Sequence, residues 1–295
     1  MPNKGKELLI LKHDEVSFVV QGPEVFLHGE NVTKNLINEI NSFFPKYDVI
    51  FSTWETHVDT YVNCRVINNV DPGIVNHNRS KFLLNVERQR LSTIAGINCV
   101  NSAYVFKIRS DALVKGSDFD VDAILKILKA CSRSKICLFY YTCPTNLNMV
   151  DDRVQFGPTN LMLEFWSFDY KKILKKVNKL FDKKKPFSRY YIFNMNDNMN
   201  LSPEQLMFIS YCNFPLKGSS VYGMYFNYCS GMQKNFLLME SCKWGVLSTK
   251  WKMSNTLSSR LYIYMNNKKS LVLLNTLLFI VIESMRIFRA FIRNR

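Results

Sequence analysis

Short apolar segments alternate with amphipathic helical segments along the first half of the chain, and this alternation restricts the fold more than any other feature. The run 16–20 is rich in β-branched residues and ends at Gln21, Gly22 and Pro23, as expected of a buried strand that stops at a turn. Further strands are predicted at 48–53, 61–70, 104–108 and 135–141, and helices at 31–44, 86–100 and 121–131. Such alternation indicates an α/β domain whose mostly parallel sheet is covered by helices on both faces.

Polar and glycine residues follow several predicted strands. In an open parallel sheet, ligands bind beyond the carboxyl ends of the strands. Glycine lets a ligand approach the backbone closely, and glutamine offers both a donor and an acceptor to a base edge. The candidate binding segments are therefore Gln21-Gly22-Pro23, Ser52-Thr53-Trp54-Glu55, Asp71-Pro72-Gly73 and Arg109-Ser110-Asp111.

These segments, together with three others, resemble the WavE-type lipopolysaccharide synthesis proteins, a family assigned to glycosyl transfer. The resemblance implies a GT-A-like domain that moves a sugar from a nucleotide-sugar donor to a lipopolysaccharide core or other surface-glycan acceptor at the inner membrane. Another activated-sugar or polyol-phosphate transferase of surface-polysaccharide synthesis remains an alternative. The seven segments occur in order between residues 16 and 212: Val19 to Pro23, Ser52 to Glu55, Asp71 to Gly73, Asn85 to Thr93, Lys107 to Asp111, Asp152 to Gly157, and Pro203 to Gln205.

The resemblance also implies which side chains hold the nucleotide sugar. Three assignments stay open at this point. Trp54 is either a stacking platform or a core residue. Arg88 and Gln89 either face the ligand or belong to a solvated helix face. Asp71 is either part of a turn or a nucleotide contact. The expected nucleotide-sugar-binding residues are Gln21, Gly22, Pro23, Thr53, Trp54, Glu55, Arg88, Gln89, Arg109 and Asp111.

A divalent cation is the expected cofactor in many proteins of the implied fold, which end a buried strand with Asp-x-Asp. Mg²⁺ and Mn²⁺ prefer carboxylate oxygens. Here Arg109 replaces the first carboxylate and Asp111 is the remaining candidate ligand. Because a guanidinium can itself neutralise phosphate, the need for metal stays open. The run from Asp118 to Asp122 directly precedes a predicted helix. Acidic residues stabilise a helix N-terminus, so capping of this helix is favoured over metal binding as the role of the run.

Sugar transfer with inversion requires a carboxylate that accepts the proton of the acceptor hydroxyl. Glu204 is the candidate, because it occupies the first turn of a helix predicted through residue 212. The alternative is that Ser202, Pro203 and Glu204 form a favourable helix start and nothing more. Asp152, beside Asp151, is the second candidate for catalysis.

The formal net charge of +15 lies mainly in the second half, where residues 151–295 hold 22 Lys and Arg against 9 Asp and Glu. Such charge suits nucleic acid, an anionic bilayer or a phosphorylated substrate. A non-catalytic nucleic-acid-binding module is disfavoured, because no aromatic RNA-binding strand or helix-turn-helix pattern accompanies the lysines. No nucleic-acid partner is expected.

The eight cysteines show no C-x-x-C spacing, which predicts reduced thiols inside the cell. The start of the chain lacks the continuous apolar segment of a signal peptide. A cytoplasmic protein peripheral to the inner membrane is therefore expected.

Three regions are predicted: a GT-A-like nucleotide-sugar and acceptor domain at 1–212, an uncertain extension of that domain at 213–269, and a C-terminal helix at 270–295. The segment 271–282 is apolar and is followed by Glu283 and four arginines. At about 1.5 Å per residue it is too short to span a bilayer, so a basic amphipathic helix on an anionic membrane surface is expected. A buried C-terminal helix is the alternative.

Overall fold

The structure is a computed structural model. It describes residues 15–54, 60–72, 81–114, 134–140, 152–169, 171, 172, 175, 203–212, 230–232, 234–240 and 246–248.

The described part of the chain alternates strands and helices. The strands are β1 (Val16–Gln21), β2 (Phe26–Leu27), β3 (Glu30–Asn31), β4 (Asp48–Trp54), β5 (Arg65–Asn69), β6 (Tyr104–Arg109), β7 (Ala112–Val114), β8 (Ile136–Tyr140), β9 (Val154–Pro158), β10 (Phe236–Glu240) and β11 (Val246–Ser248). The helices are α1 (Val32–Phe43), α2 (Lys81–Asn98), α3 (Thr159–Trp166) and α4 (Pro203–Tyr211).

Seven strands form one sheet in the order β10-β8-β9-β6-β1-β4-β5. β9 is antiparallel to both of its neighbours, and every other adjacent pair is parallel. Two small antiparallel pairs, β2 with β3 and β7 with β11, lie outside this sheet. The predicted mostly parallel sheet with helices is therefore confirmed.

One face of the sheet is apolar and is covered by α1. Alternation along β1 directs Phe18 to this face, where its ring centroid lies 5.5 Å from that of Phe106 on β6. Leu36, Ile37 and Ile40 follow helical spacing on α1 and are buried in the same cluster. The helix begins at Asn31, whose side chain accepts a hydrogen bond from the Lys34 amide at 2.9 Å.

The opposite face is more polar and is covered by α2, α3 and α4. α2 lies very close to the sheet at Gly96, where a Cβ atom would be 2.5 Å from Cγ1 of Val19. α3 is tied to β9 by a hydrogen bond of 2.9 Å from the Trp166 indole to Gln155. α4 packs on α2 and α3 through a buried apolar run that starts at Leu206.

Several predicted element bounds differ from those observed. α2 begins at Lys81 instead of residue 86, and residues 81–85 contain neither Gly nor Pro to stop the helix. The third strand is shorter than 61–70, because Asn63 adopts a positive φ of 50° that interrupts extended backbone. None of the described helices is long and apolar enough to cross a bilayer.

The sequence interpretation missed β9 and α3. Gly157 and Pro158 count against a strand by propensity, so the sequence pattern does not predict β9. Gly157 lies against β8, where a Cβ atom would be in ordinary contact with Cα of Ile136 at 3.4 Å. β10 lies within 213–269 and forms the edge of the large sheet next to β8. The predicted helix at 121–131, most of the lysine-rich segment 169–185 and the C-terminal helix at 270–295 lie outside the described residues.

Candidate functional site

The direction of the strand order changes between β1 and β6. From β1 the chain continues to β4 and β5 on one side, and then returns through α2 to β6 on the other. In an open α/β sheet this arrangement leaves a crevice at the carboxyl ends of the two strands, where ligands bind. Gln21 and Arg109 are the last pair in register between β1 and β6, so both lie at this crevice.

The two loops that follow β1 and β6 pack tightly against each other. Gly22 has a φ of +128°, a backbone conformation that residues with a Cβ atom rarely adopt. A Cβ atom there would also lie 2.5 Å from Oγ of Ser110. The Ser110 amide donates to the carbonyl of Gln21 at 2.9 Å. Pro23, the next residue, is exposed. Gly22 is therefore required by the close approach of the Ser110 loop.

Arg109 joins two carboxylates at the end of β6. Its Nε and Nη2 donate to the two oxygens of Asp111 at 2.9 and 2.8 Å, and Nη1 donates to Oδ2 of Asp152 at 3.2 Å. The Arg109 side chain is 25% exposed, against 10% for Asp111 and 4% for Asp152. The carboxylates are thus covered, while the guanidinium reaches the surface of the crevice.

Positive charges around Asp152 outnumber the negative ones. Burial raises the pKa of Asp152, but the nearby charges of Arg109, Lys107 and Arg153 outweigh burial and hold this pKa below its ordinary value. The charge of Asp152 in turn raises the pKa of Arg109. Lys107 is fully buried, its Nζ donates to the Asp152 carbonyl, and it lies 4.8 Å from the Trp166 ring centroid. With Asp111, these five side chains carry one net positive charge.

The arrangement around Asp111 does not fit a divalent cation. Both oxygens of Asp111 already accept hydrogen bonds from Arg109, which lies between Asp111 and Asp152. Within the described ranges, no group of three or more His, Cys, Asp or Glu side chains is arranged to hold a metal ion. The guanidinium supplies the positive charge at this position.

The end of β4 lies beside the end of β1 at the same edge of the sheet. Thr53 is 1% exposed and its carbonyl accepts a hydrogen bond from Asn69 at 2.7 Å. Trp54 is 8% exposed and lies on the same sheet face as Ser52, the register partner of Gln21. Protein covers most of the Trp54 indole. Glu55 lies outside the described residues.

The N-terminal half of α2 lies near the residue that follows β5. Arg88 pairs with Asp71, with Nε 2.9 Å from Oδ1, and this hydrogen bond raises the pKa of Arg88. Gln89 is half-buried, and its Oε1 atom accepts no hydrogen bond from any described residue. Arg88 and Asp71, which the sequence analysis treated separately, are therefore partners.

The two candidate bases are Glu204 and Asp152, and the structure describes the side chain of Asp152 only. Glu204 is the second residue of α4, and its side chain lies outside the described residues, as does Asp151. Asp152 is placed beside Arg109. The structure thus brings Gln21, Gly22, Arg109 and Asp111 together at the ends of β1 and β6, whereas Arg88 pairs with Asp71 beyond β5.

Sequence reasoning assigned no role to Ser92, Thr93 and Lys107, although all three belong to segments that carry the family resemblance. Gln21 Nε2 donates to Ser92 Oγ at 2.8 Å, and Thr93 is fully buried. The spacing of the residues on α2 could have indicated that they share one face, because Gln89, Ser92, Thr93 and Gly96 recur at helical intervals.

The comparison with protein families supports the resemblance over part of the chain. The family of WavE lipopolysaccharide synthesis proteins matches residues 16–129. This range includes β1, β4, β5, α2 and β6. No curated protein matches the chain.

Solved structures with similar folds are distant. A cytidylyltransferase from Leptospira borgpetersenii serovar Hardjo-bovis (strain JB197) is 10% identical with a TM-score of 0.35, over 51% of this chain and 63% of that enzyme, so less than two thirds of its length is spanned. A nucleotidyl transferase from Methanothermobacter is 12% identical with a TM-score of 0.35, over 52% of this chain and 76% of that one. The apo-form glycosyltransferase GlyE from Streptococcus pneumoniae TIGR4 is 9% identical with a TM-score of 0.31, over 65% and 46% of the respective chains.

Proposed function

We propose that this chain is a glycosyltransferase that binds a nucleotide-sugar donor at the crevice between β1 and β6. The observation that carries this proposal is the placement of Gln21 and Arg109 as the last register pair of two parallel strands where the strand order reverses. The resemblance to the WavE family supports a GT-A-like sheet and a lipopolysaccharide core or other surface-glycan acceptor.

The charge distribution of the crevice suits a pyrophosphate. Lys107, Arg109 and Arg153 exceed the charge of Asp111 and Asp152 by one, and the Arg109 guanidinium is partly exposed at the crevice. A guanidinium binds phosphate oxygens through directed N–H groups, and Asp111 and Asp152 hold this one in a single orientation. We therefore assign Arg109 to the donor phosphates and Asp111 to the orientation of Arg109.

Proton acceptance is assigned to Glu204 and not to Asp152. A general base works best when its pKa lies near the operating pH. Asp152 has a lowered pKa and is 3% exposed, so it accepts a proton poorly at neutral pH and its carboxylate is covered. In this proposal Asp152 positions Arg109, and Glu204 takes the proton from the acceptor hydroxyl.

Donor binding is the first test. We expect nucleotide sugars to raise the unfolding temperature of the full chain, since a ligand that binds only the folded state stabilises it by RT ln(1 + [L]/Kd). Asp111→Asn should remove this shift. The matched control is Asp48→Asn, an exposed carboxylate paired with Arg65 at the amino end of β4, which should keep it. A wild-type protein that responds to no nucleotide sugar would contradict the proposal.

The acceptor class requires a second experiment with radiolabelled donor. Incorporation of sugar into a lipopolysaccharide core or another glycan supports glycosyl transfer. Incorporation of a phosphorylated sugar or polyol instead would identify the alternative transferase, which would use the same nucleotide site.

Membrane association is proposed through residues 270–295. Truncation after Lys269 should release the protein from vesicles that contain anionic lipid, because it removes an apolar segment and four arginines together. High salt should weaken binding of the full chain, as screening shortens to about 3 Å at 1 M. A truncated protein that aggregates would favour the buried-helix alternative, and unchanged vesicle binding would also contradict the proposal.

A further inference from the structure

Lys107 places an ammonium group inside the protein. Its side chain is fully buried in the middle of β6. Its register partner on β1, Val19, packs against α2 at Gly96, so Lys107 lies on the sheet face that α2 covers. Lysine is almost never fully buried unless it is paired, because an ammonium without polar partners is strongly unfavourable away from water. A lysine at this position therefore needs a specific explanation.

The ammonium of Lys107 is directed toward the segment that precedes β9. Nζ donates a hydrogen bond to the main-chain carbonyl of Asp152 and lies 4.8 Å from the centroid of the Trp166 ring. The Trp166 indole donates to Gln155 at 2.9 Å, and Gln155 is the register partner of Lys107 on β9. Because an aromatic face attracts a cation, the indole stabilises the ammonium in this position.

Residues 152 and 153 come just before β9, beyond the last register pair of β6 and β9, which joins Ile108 and Val154. The Arg109 amide donates to the carbonyl of Arg153 at 2.8 Å, and Lys107 donates to the carbonyl of Asp152. Lys107 thus holds the main chain of the residue whose carboxylate accepts a hydrogen bond from Arg109 at 3.2 Å.

We infer that Lys107 is a positioning residue, which holds Asp152 so that the Arg109 guanidinium faces the phosphates of the donor. The inference rests on the proposed function, because it takes these phosphates as the ligand of Arg109. Asp152 binds one side of the guanidinium and Asp111 the other, so a shift of the Asp152 main chain would turn the guanidinium or release one side of it. Since Lys107 is fully buried, it acts through Asp152 and not through contact with the ligand.

Three possible roles of Lys107 predict different results. If Lys107 only supports the fold, Lys107→Met lowers the unfolding temperature, and the folded protein binds phosphate ligands as wild type does. If Lys107 acts through its charge alone, phosphate affinity falls whether or not the Asp152 carboxylate is present. If Lys107 positions Asp152, phosphate affinity falls and the loss depends on that carboxylate. A double-mutant cycle separates these roles.

The test is isothermal titration of the full chain, below its unfolding transition, with inorganic pyrophosphate and with ADP, CDP, GDP and UDP. We expect the tightest wild-type ligand of this set to bind about tenfold or more weakly to Lys107→Met, because a displaced guanidinium loses a charge-assisted hydrogen bond to phosphate. Lys107→Gln should lose less affinity, since its amide keeps a donor for the Asp152 carbonyl. If Lys107→Met unfolds, Lys107→Gln takes its place in each comparison.

The decisive comparison is made in the Asp152→Ala background. There Lys107→Met should change the affinity by less than about twofold, because no carboxylate is left to position. The double variant removes one buried charge of each sign, a replacement that is often neutral for stability.

Val105→Ala is the matched control for lost stability. Val105 is fully buried two residues before Lys107 on the same strand and the same face. The smaller side chain should lower the unfolding temperature, while the affinity of the folded protein should stay within about twofold of wild type.

Two results would overturn the inference and leave the proposed function standing. In the first, the Lys107 variants bind the ligands as tightly as wild type does, so that Lys107 only supports the fold. In the second, Lys107→Met loses the same affinity with and without the Asp152 carboxylate, so that Lys107 acts through its charge. If wild type binds none of these ligands and no nucleotide sugar, the inference and the proposed function fail together.

Discussion

Arg109 and Asp152 are 43 residues apart in the sequence, yet Nη1 of Arg109 donates to Oδ2 of Asp152 at 3.2 Å. The contact arises because β9 runs antiparallel to β6, with Val154 opposite Ile108, so that Asp152 lies just beyond the end of β6. The same guanidinium binds Asp111 through two further hydrogen bonds. A single cation supplied by the chain therefore pairs with both carboxylates.

Replacement of Arg109 should destabilise the fold and create a metal response. Arg109→Ala removes the guanidinium that hydrogen-bonds both covered carboxylates, and breaking a buried ion pair costs about 3–5 kcal/mol. Paired carboxylate oxygens favour hard divalent cations. We therefore expect Mn²⁺ to raise the unfolding temperature of Arg109→Ala and to leave that of the ligand-free wild type unchanged, as measured by calorimetry with and without the ion.

Arg109→Lys is the control for that experiment. Lysine keeps the positive charge but lacks the planar guanidinium. Arg109→Lys should therefore destabilise the fold less than Arg109→Ala does, and its unfolding temperature should not respond to Mn²⁺. An equal response of wild type and Arg109→Ala to Mn²⁺ would show that the guanidinium does not substitute for the ion.

Asp152 should make the stability of the fold sensitive to acid. Its pKa is lower in the folded protein, because three positive charges outweigh burial. Such a group stabilises the fold above its unfolded pKa of about 3.9, and the contribution is lost as the pH falls through the lower, folded pKa. In wild type, the free energy of unfolding measured in urea should decrease as the pH is lowered beneath about 4. In Asp152→Asn it should decrease less steeply. Identical slopes would contradict this prediction.

Glu204→Gln tests the assignment of the base. Loss of a general base should lower kcat by about 10²–10⁴-fold, while the Kd of the donor stays near that of wild type. Glu164→Gln, the same change at an exposed position of α3, should leave kcat near normal. If donor binding collapses in Glu204→Gln, this residue belongs to the donor site or to the fold.

Two cysteines should react slowly with alkylating agents. Burial raises the pKa of Cys64 and of Cys212 to about 12. Since the thiolate is the reactive form, their alkylation at about pH 8 should be roughly a thousandfold slower than that of thiols with an ordinary pKa near 9. Peptide mass spectrometry after iodoacetamide treatment, with and without urea, measures this. Comparable rates in the two conditions would exclude protection by the fold.

The strands at the centre of the sheet could be predicted because both of their faces are largely buried. β1 and β6 are mostly apolar, with Ser17 and Lys107 as the interior polar residues, and each ends at a polar residue. β9 could not be predicted, because its Gly157 and Pro158 are disfavoured in strands, and the strand forms by pairing with β6 and β8, which are separated from it in the sequence.

The candidate site could also be predicted only in part. That Gln21 and Arg109 would lie at the same edge of the sheet follows from their positions at the carboxyl ends of predicted parallel strands. The pairing of Arg109 with Asp152 does not, since it depends on the direction of β9. The contact of Gln21 with Ser92 is equally hidden, because it depends on how closely α2 approaches the sheet at Gly96.

Gly96→Ala tests that close approach. Two effects oppose each other: alanine favours a helix over glycine by about 1 kcal/mol, whereas an added methyl in a packed interface costs about 1–3 kcal/mol. The clash should dominate, because the new Cβ would lie 2.5 Å from Cγ1 of Val19 and 3.1 Å from Cβ of Ser52, neither of which is the end of a flexible side chain. Urea unfolding should show a net loss of stability, whereas Asn98→Ala at the exposed end of the same helix should change it by less than about 0.5 kcal/mol. Because this close approach also sets the contact of Gln21 with Ser92, donor affinity should fall with Gly96→Ala. A stabilised variant with unchanged affinity would show that α2 has room to move away from the sheet.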